Sequence, residues 1–328
     1  MMLRPRCRTH TPAHAPAHMR RHLAAFAIVC AGLGGGARAA EPVRLSVGYT
    51  NTMSCAGLFI AADQGLFAKR GLDVSLVLVA LNSTIPSALV GGSVQIGAAT
   101  PPVLLQAVDG GLDIVAVAGG AVNDIHSRGG PIAVARPGVS IRTAKDFEGR
   151  RVGVPGIGAN MHVLFRRWLT LHGADDRKVN FVEVPMAQAG DILRSGNVDA
   201  VLTNEPYSQR ILRSRTGVLV APYYLEMPDG LFAIYYVSTR EWARNNPAAI
   251  QGFREGLQEA TQFLAHDPAK AREIVGRITR LPPDAVASIT LPTLEVTVPG
   301  ADLKYWADIL LAQGALRSRP DPAHPIIK

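Results

Sequence analysis

Short apolar runs recur along the chain at 43–48, 74–81, 94–98, 114–118, 131–135, 151–154, 180–184, 200–202, 218–221 and 232–238. They are too short for helices and rich in Val, Ile, Leu and Ala, a pattern that predicts strands buried on both faces. Helical spacing of the apolar positions fills the gaps, at 57–65, 83–91, 101–110, 143–147, 160–172, 188–196 and 206–213. Strands alternating with amphipathic helices predict an α/β chain with mostly parallel sheets. From Pro247 onward the pattern is helical, broken at Asp267-Pro268 and at Leu281-Pro282-Pro283, where proline cannot continue a helix.

The first 39 residues follow a different rule. They hold six Arg, no Lys and no acidic residue. From Met19 the order is Arg20-Arg21, an apolar run at 23–31, a Gly-rich stretch and Ala37-Arg38-Ala39. That order is the charged region, apolar region and small-residue cleavage site of a secretory signal, with the cut expected after Ala39. The run is shorter than the ~20 apolar residues a membrane-spanning helix needs. Removal of the leader changes the charge balance: the whole chain is 34 basic minus 26 acidic, +8, and residues 40–328 are 28 minus 26, +2. Clustered basic charge of the kind that marks a nucleic-acid surface is then missing from the pattern. Of the three cysteines, Cys7 and Cys30 lie in the leader, so Cys55 has no partner for an internal disulfide, and Cys-based zinc spacing is excluded. No cofactor is expected. A chain of this length exceeds one ordinary core and predicts two lobes.

Ligands of open α/β sheets bind beyond the carboxyl ends of the strands, so the junctions after the strands carry the candidate chemistry. These read Tyr49-Thr50-Asn51-Thr52-Met53-Ser54-Cys55, Asn82-Ser83-Thr84, Ala99-Thr100-Pro101, Pro155-Gly156-Ile157-Gly158-Ala159-Asn160 and Thr203-Asn204-Glu205-Pro206. Hydroxyl, amide and Gly residues there would line a cleft with helix starts; the same residue types also cap helices and make turns with no ligand. Gly156 and Gly158 lack the third Gly of a dinucleotide fingerprint.

Several segments resemble the SsuA/TauA/NMT1-like periplasmic binding proteins. Leu58-Phe59-Ile60-Ala61-Ala62-Asp63-Gln64-Gly65-Leu66-Phe67 with Gly71-Leu72-Asp73-Val74 is similar to the family's opening. In order follow Ala88-Leu89-Val90-Gly91-Gly92-Ser93-Val94-Gln95, with Gln95 where Asp is usual, then Asp146-Phe147-Glu148-Gly149-Arg150-Arg151-Val152-Gly153-Val154, and Gly196-Asn197-Val198-Asp199-Ala200 before Glu205-Pro206. The resemblance implies a two-lobed periplasmic-binding-protein fold of type II, with a signal peptide at 1–39, one lobe from 40–127 and the return segment 231–328, and the other from 128–230. It also implies a monomeric solute-binding component of an ABC importer in the periplasm, working with a transmembrane permease and its ATPase, without enzymatic activity. Carried onto the junctions, the implied ligand-binding residues are Thr52, Met53, Ser54, Asn82, Ser83, Thr84, Thr100, Gly158, Ala159, Asn160, Asn204 and Glu205, with Gly120, Asn123 and Tyr235 beside them. Leu66 and Phe67 read as core.

The implied solute is a small organic anion of the sulfonate, taurine, nitrate or aromatic carboxylate type, which helix N-termini suit. Arg128 is either a partner for that anion or a solvated hinge residue. Glu205 would instead suit an amine or ring N–H, and a thiamine-pyrimidine precursor is the alternative solute. A biosynthetic enzyme on the same fold is the alternative class: it would draw on His126 as a base or Cys55 as a nucleophile. His162 and His172 are ten residues apart and do not form the i, i+4 pair of a helical metal site.

Overall fold

The computed structural model describes residues 41–124, 129–226, 228–281, 283–321 and 325–326. Its strands are β1 (Val43–Tyr49), β2 (Leu72–Leu78), β3 (Ile96–Ala99), β4 (Ile114–Gly119), β5 (Ala121–Val122), β6 (Ile132–Ala135), β7 (Arg151–Val154), β8 (Asn180–Glu183), β9 (Ala200–Thr203), β10 (Val218–Ala221), β11 (Tyr235–Thr239) and β12 (Thr293–Leu294). The helices are α1 (Ala56–Asp63), α2 (Ile85–Val90), α3 (Pro101–Asp109), α4 (Asn160–Leu171), α5 (Ala189–Arg194), α6 (Tyr207–Arg213), α7 (Arg240–Asn245), α8 (Pro247–His266), α9 (Pro268–Ile278), α10 (Pro283–Val286) and α11 (Ala301–Ala312). The expected helix at 143–147 is a 3₁₀ turn, Ala144–Phe147, closed by a reciprocal capping box between Thr143 and Asp146. The expected strand at 232–238 begins at Tyr235, because the preceding residues leave the sheet. The expected leader, 1–39, and the expected hinge residues His126 and Arg128 lie outside the described residues.

Two five-stranded sheets are present, ordered β2-β1-β3-β11-β4 and β10-β6-β9-β7-β8. In the first, β1 pairs parallel with β2 and β3, and β11 pairs antiparallel with β3 and β4. In the second, β7 pairs parallel with β8 and β9, and β6 pairs antiparallel with β9 and β10. Each sheet is therefore mostly parallel with one reversed strand. The reversed strands, β6 and β11, are the first to enter each sheet after the chain passes from one sheet to the other. Their amino ends consequently lie at the same sheet edge as the carboxyl ends of their neighbours. β5 and β12 form a separate short antiparallel ladder.

Strands β3, β4, β6 and β9 are buried along their whole length, which is why their sequences are continuous apolar runs rather than alternating ones. On one face of the first sheet, α1 packs against α8 and α9. Leu66 and Phe67 belong to this core, and Phe67 stacks on Phe253 with ring centroids 5.1 Å apart. A second apolar cluster runs without a break from α2 and α3 of one lobe through α4 of the other to Leu303, Trp306 and Leu310 of α11. Helix α11 contacts both α3 and α4, and Gln313 just beyond it donates to the Val163 carbonyl at 2.8 Å. The C-terminal helix thus bridges the lobes. No helix of the described residues is long and apolar enough to cross a membrane.

Candidate ligand-binding site

The strand ends converge as their directions require. Residues after β1, β2, β3, β7, β8 and β9, together with those leading into β6 and β11, enclose one cavity of about 310 Å³ between the sheets. Thr52, Met53, Ser54, Asn82, Thr100, Asn123, Ala159, Asn160 and Asn204 all line it. So does Met161, and so do residues the sequence patterns did not flag: Leu164, Met186, Phe232, Thr290 and Trp306.

Two of the lining amides are committed to the fold. Asn82 donates to the Ala98 carbonyl at 2.9 Å and accepts from the Thr100 N–H at 3.0 Å, locking the turn after β2 onto the end of β3. Asn160 accepts from the Met161 N–H at 2.7 Å and donates to the Ala233 carbonyl at 3.4 Å. Other polar atoms along the lining have no protein partner. Thr100 Oγ1, Asn204 Oδ1, Asn51 Oδ1 and Trp306 Nε1 are all buried and unsatisfied. A buried polar group left unpaired costs about 1–3 kcal/mol, and four of the eight such side-chain atoms among the described residues belong to residues lining this cavity. The starts of α1 and α4 bring backbone N–H groups to the cavity, some already committed: the Ala56 N–H donates to the Met53 carbonyl and the Met161 N–H to Asn160 Oδ1. At α3 this supply is poor, since Pro101 and Pro102 carry no N–H.

Six expected site residues face elsewhere, each for a visible reason. Thr84 Oγ1 donates to the Leu81 carbonyl of its own turn at 2.8 Å. Ser83 Oγ reaches across the lobes to Glu183 Oε1 at 2.7 Å, and the Ile157 N–H donates to the same oxygen at 2.9 Å. Gly158 holds φ +79°, a left-handed conformation that glycine permits. Its N–H donates to His162 Nδ1 at 3.0 Å and its carbonyl accepts from Gln106 at 2.8 Å, so neither faces a solute. Gly120 lies against Ile234, where a Cβ would come within 2.6 Å. Glu205 is 4% exposed, and its carboxylate accepts from the Thr290 N–H at 3.0 Å and from Gln209. Alternation along β11 turns Tyr235 toward Asp302 of α11, to which its hydroxyl donates, and Tyr236 toward Phe253 on the opposite face. The residues just before β11, Phe232 to Ile234, line the cavity instead, with the Ala233 N–H donating to the Ala121 carbonyl of β5 at 2.8 Å.

The described lining of the cavity carries a single charged side chain, and it is acidic: Asp124, with no Lys, Arg or His among the described lining residues. His162 is buried beneath the Gly158 turn, and burial, with Arg166 nearby, depresses its pKa to about 3. Cys55 is fully buried, and burial pushes its thiol up to about 12. No group of three or more His, Cys, Asp and Glu residues able to hold a metal ion occurs among the described residues.

Two α/β lobes, each with one reversed strand and closing on a cavity at the strand ends, define the periplasmic-binding-protein fold. Solved structures agree. The alkanesulfonate-binding protein SsuA of Xanthomonas axonopodis pv. citri, bound to MOPS, superposes with a TM-score of 0.74 at 23% identity, covering 88% of this chain and 99% of that one. The nitrate-binding protein NrtA of Synechocystis PCC 6803 superposes with a TM-score of 0.72 at 16% identity, covering 86% and 84%. The chain belongs to the NMT1-like family, whose model matches residues 38–279. Among curated proteins, the bicarbonate-binding protein CmpA of Synechococcus sp. is 24% identical over 307 residues, 83% of this chain and 66% of that protein. The bicarbonate transport ATP-binding protein CmpC of Synechocystis sp. is 29% identical over 253 residues, 71% of this chain. The alignment spans 37% of CmpC's length.

Proposed function

We propose that this chain is the periplasmic solute-binding component of an ABC importer, and that it captures a small organic anion by closure of two lobes. In this reading the lobes are 40–127 with 231–328, and 128–230. The observation that carries it is the cavity itself: enclosed between the lobes and lined by buried polar atoms that the protein leaves unpaired. Polar bonds already cross between the lobes at its rim, from Asn51 to the Tyr207 hydroxyl at 2.8 Å and from Ser83 to Glu183. Without a cation along the described lining, an anionic head would rest on neutral donors and helix starts, which suit negative charge, away from the Asp124 carboxylate. The names of the relatives, for bicarbonate, nitrate and alkanesulfonate, agree with a head of that kind. Catalysis has little to draw on here: the Cys55 thiol is buried and held protonated, and His162 Nδ1 is occupied by Gly158.

A thermal-shift screen of sulfonates, nitrate, bicarbonate, aromatic carboxylates and pyrimidines against residues 40–328 tests the proposal. A solute at 100 times its dissociation constant adds about 2.7 kcal/mol of stability. No shift with any of these classes would remove its main support. Recovery of the full-length chain from the cytosol in a fractionation experiment would contradict the periplasmic assignment.

A further inference from the structure

Resting on the capture reading above, the shape and chemistry of the cavity narrow the solute. Its volume of about 310 Å³ has room for many water-sized groups, each of which needs only about 10–15 Å³ of such space. Nitrate or bicarbonate would leave most of that space unfilled. The walls are those of an organic guest: Met53, Met161 and Met186 with Phe232 and Trp306 line one continuous surface. Methionine and aromatic side chains together favour a flat conjugated body, through sulfur–ring and ring–ring contact. Trp306 adds a directional element. Its side chain is 1% exposed and lines the cavity, and its indole Nε1 is buried with no protein acceptor. Indole N–H is a donor only, so an acceptor atom carried by a solute would complete it.

We propose that Trp306 is a ligand-recognition residue, and that the solute is an aromatic anion carrying a hydrogen-bond acceptor besides its charged head. The indole N–H meets this second acceptor, while the methionines and Phe232 hold the ring. Specificity at this position follows from the unpaired donor: a solute without the acceptor leaves the N–H unsatisfied and loses affinity.

Calorimetric titration of the wild type and Trp306→Phe tests the assignment. The probes are ring-substituted benzoates and benzenesulfonates in matched pairs, acetyl against isopropyl, at the ortho, meta and para positions. Within each pair size is nearly kept while the acceptor is lost; the accompanying change in planarity and ring electronics is common to both proteins, so the wild type and variant are compared within the pair. The expected result is a pair whose acetyl member binds the wild type more tightly, with Trp306→Phe weakening that member roughly tenfold and leaving the isopropyl member within about twofold. Melting of the ligand-free variant within a few degrees of wild type confirms an intact fold. Equal weakening of both members, no discrimination in any pair, or binding of nitrate or bicarbonate alone overturns the inference and leaves solute capture standing. If no solute binds the wild type in this panel or in the wider screen, the capture reading falls with it.

Discussion

Thr100 separates a binding residue from a structural one. Its side chain is 4% exposed and Oγ1 has no partner in the protein, while its backbone N–H is held by Asn82. Thr100→Val keeps the shape and the backbone bond and removes only the hydroxyl. Replacing an unpaired buried hydroxyl by a methyl is near neutral or stabilising for the ligand-free fold. With a charged solute group at that hydroxyl, the lost hydrogen bond is worth about 1.5–3 kcal/mol, or a tenfold or greater loss of affinity. Asn82→Ala is the contrast. It orphans the Ala98 carbonyl and the Thr100 N–H, both buried, and should destabilise the ligand-free protein by about 2–4 kcal/mol.

Thermal shift reads both quantities at once. At a solute concentration 100 times the wild-type dissociation constant, the wild type gains about 2.7 kcal/mol. A variant tenfold weaker gains about 1.4 kcal/mol at the same concentration. The ligand-induced rise in melting temperature should therefore fall by about half in Thr100→Val, with the ligand-free melting temperature held. A full wild-type rise in that variant, or a ligand-free melting temperature lowered as far as that of Asn82→Ala, would refute the assignment of Thr100 to the solute.

Glu205→Ala leaves the Thr290 N–H without its carboxylate and should lower stability by about 2 kcal/mol. A urea midpoint equal to wild type would remove Glu205 as the stitch between α6 and the return segment. Glu183→Ala removes the shared acceptor of Ser83 and Ile157 at an exposed position. Solute should then dissociate about two- to fivefold faster in stopped-flow with unchanged ligand-free melting, and an unaltered dissociation rate contradicts a role in holding the lobes closed. His162 has a folded pKa of about 3 against an ordinary 6.5, so the unfolded chain binds the extra proton as pH drops. Stability contributed by neutral His162 is complete above pH 6.5 and is lost toward pH 3 at about 1.4 kcal/mol per unit. Urea unfolding at pH 7, 6, 5 and 4 should show a shallower decline in His162→Leu than in wild type, and parallel curves would refute the burial argument.

Much of the fold was readable because buried parallel strands leave an unmistakable trace, a short apolar run. Runs such as 114–118 and 151–154 differ from the observed strands by a residue or none. Their order and direction were not readable. Nothing in Ile132–Ala135 or Tyr235–Thr239 distinguishes the reversed strands from their neighbours, since a strand buried on both faces has the same composition whichever way it runs. The junctions of the cleft were readable for the same geometric reason, as polar or Gly residues after each run.

What the junctions could not reveal is which polar atoms the fold consumes. Asn82, Asn160 and Gly158 look like Thr100 and Asn204 in sequence, yet the first three spend their hydrogen bonds on neighbouring backbone or on His162. Only tertiary pairing separates the two groups: Asn82 and Asn160 each spend one N–H and one lone pair within the protein, while Thr100 Oγ1 and Asn204 Oδ1 spend none. Trp306 was hidden more thoroughly. With Leu303, Ala307 and Leu310 it forms an ordinary apolar stripe on α11, and its sole mark of function is a buried N–H without an acceptor. Its position gives that mark weight. Thr100 follows β3 of the first sheet, Asn204 follows β9 of the second, and α11 packs on helices of both lobes. Residues of both lobes thus line the cavity, and α11 forms a wall that packs on both.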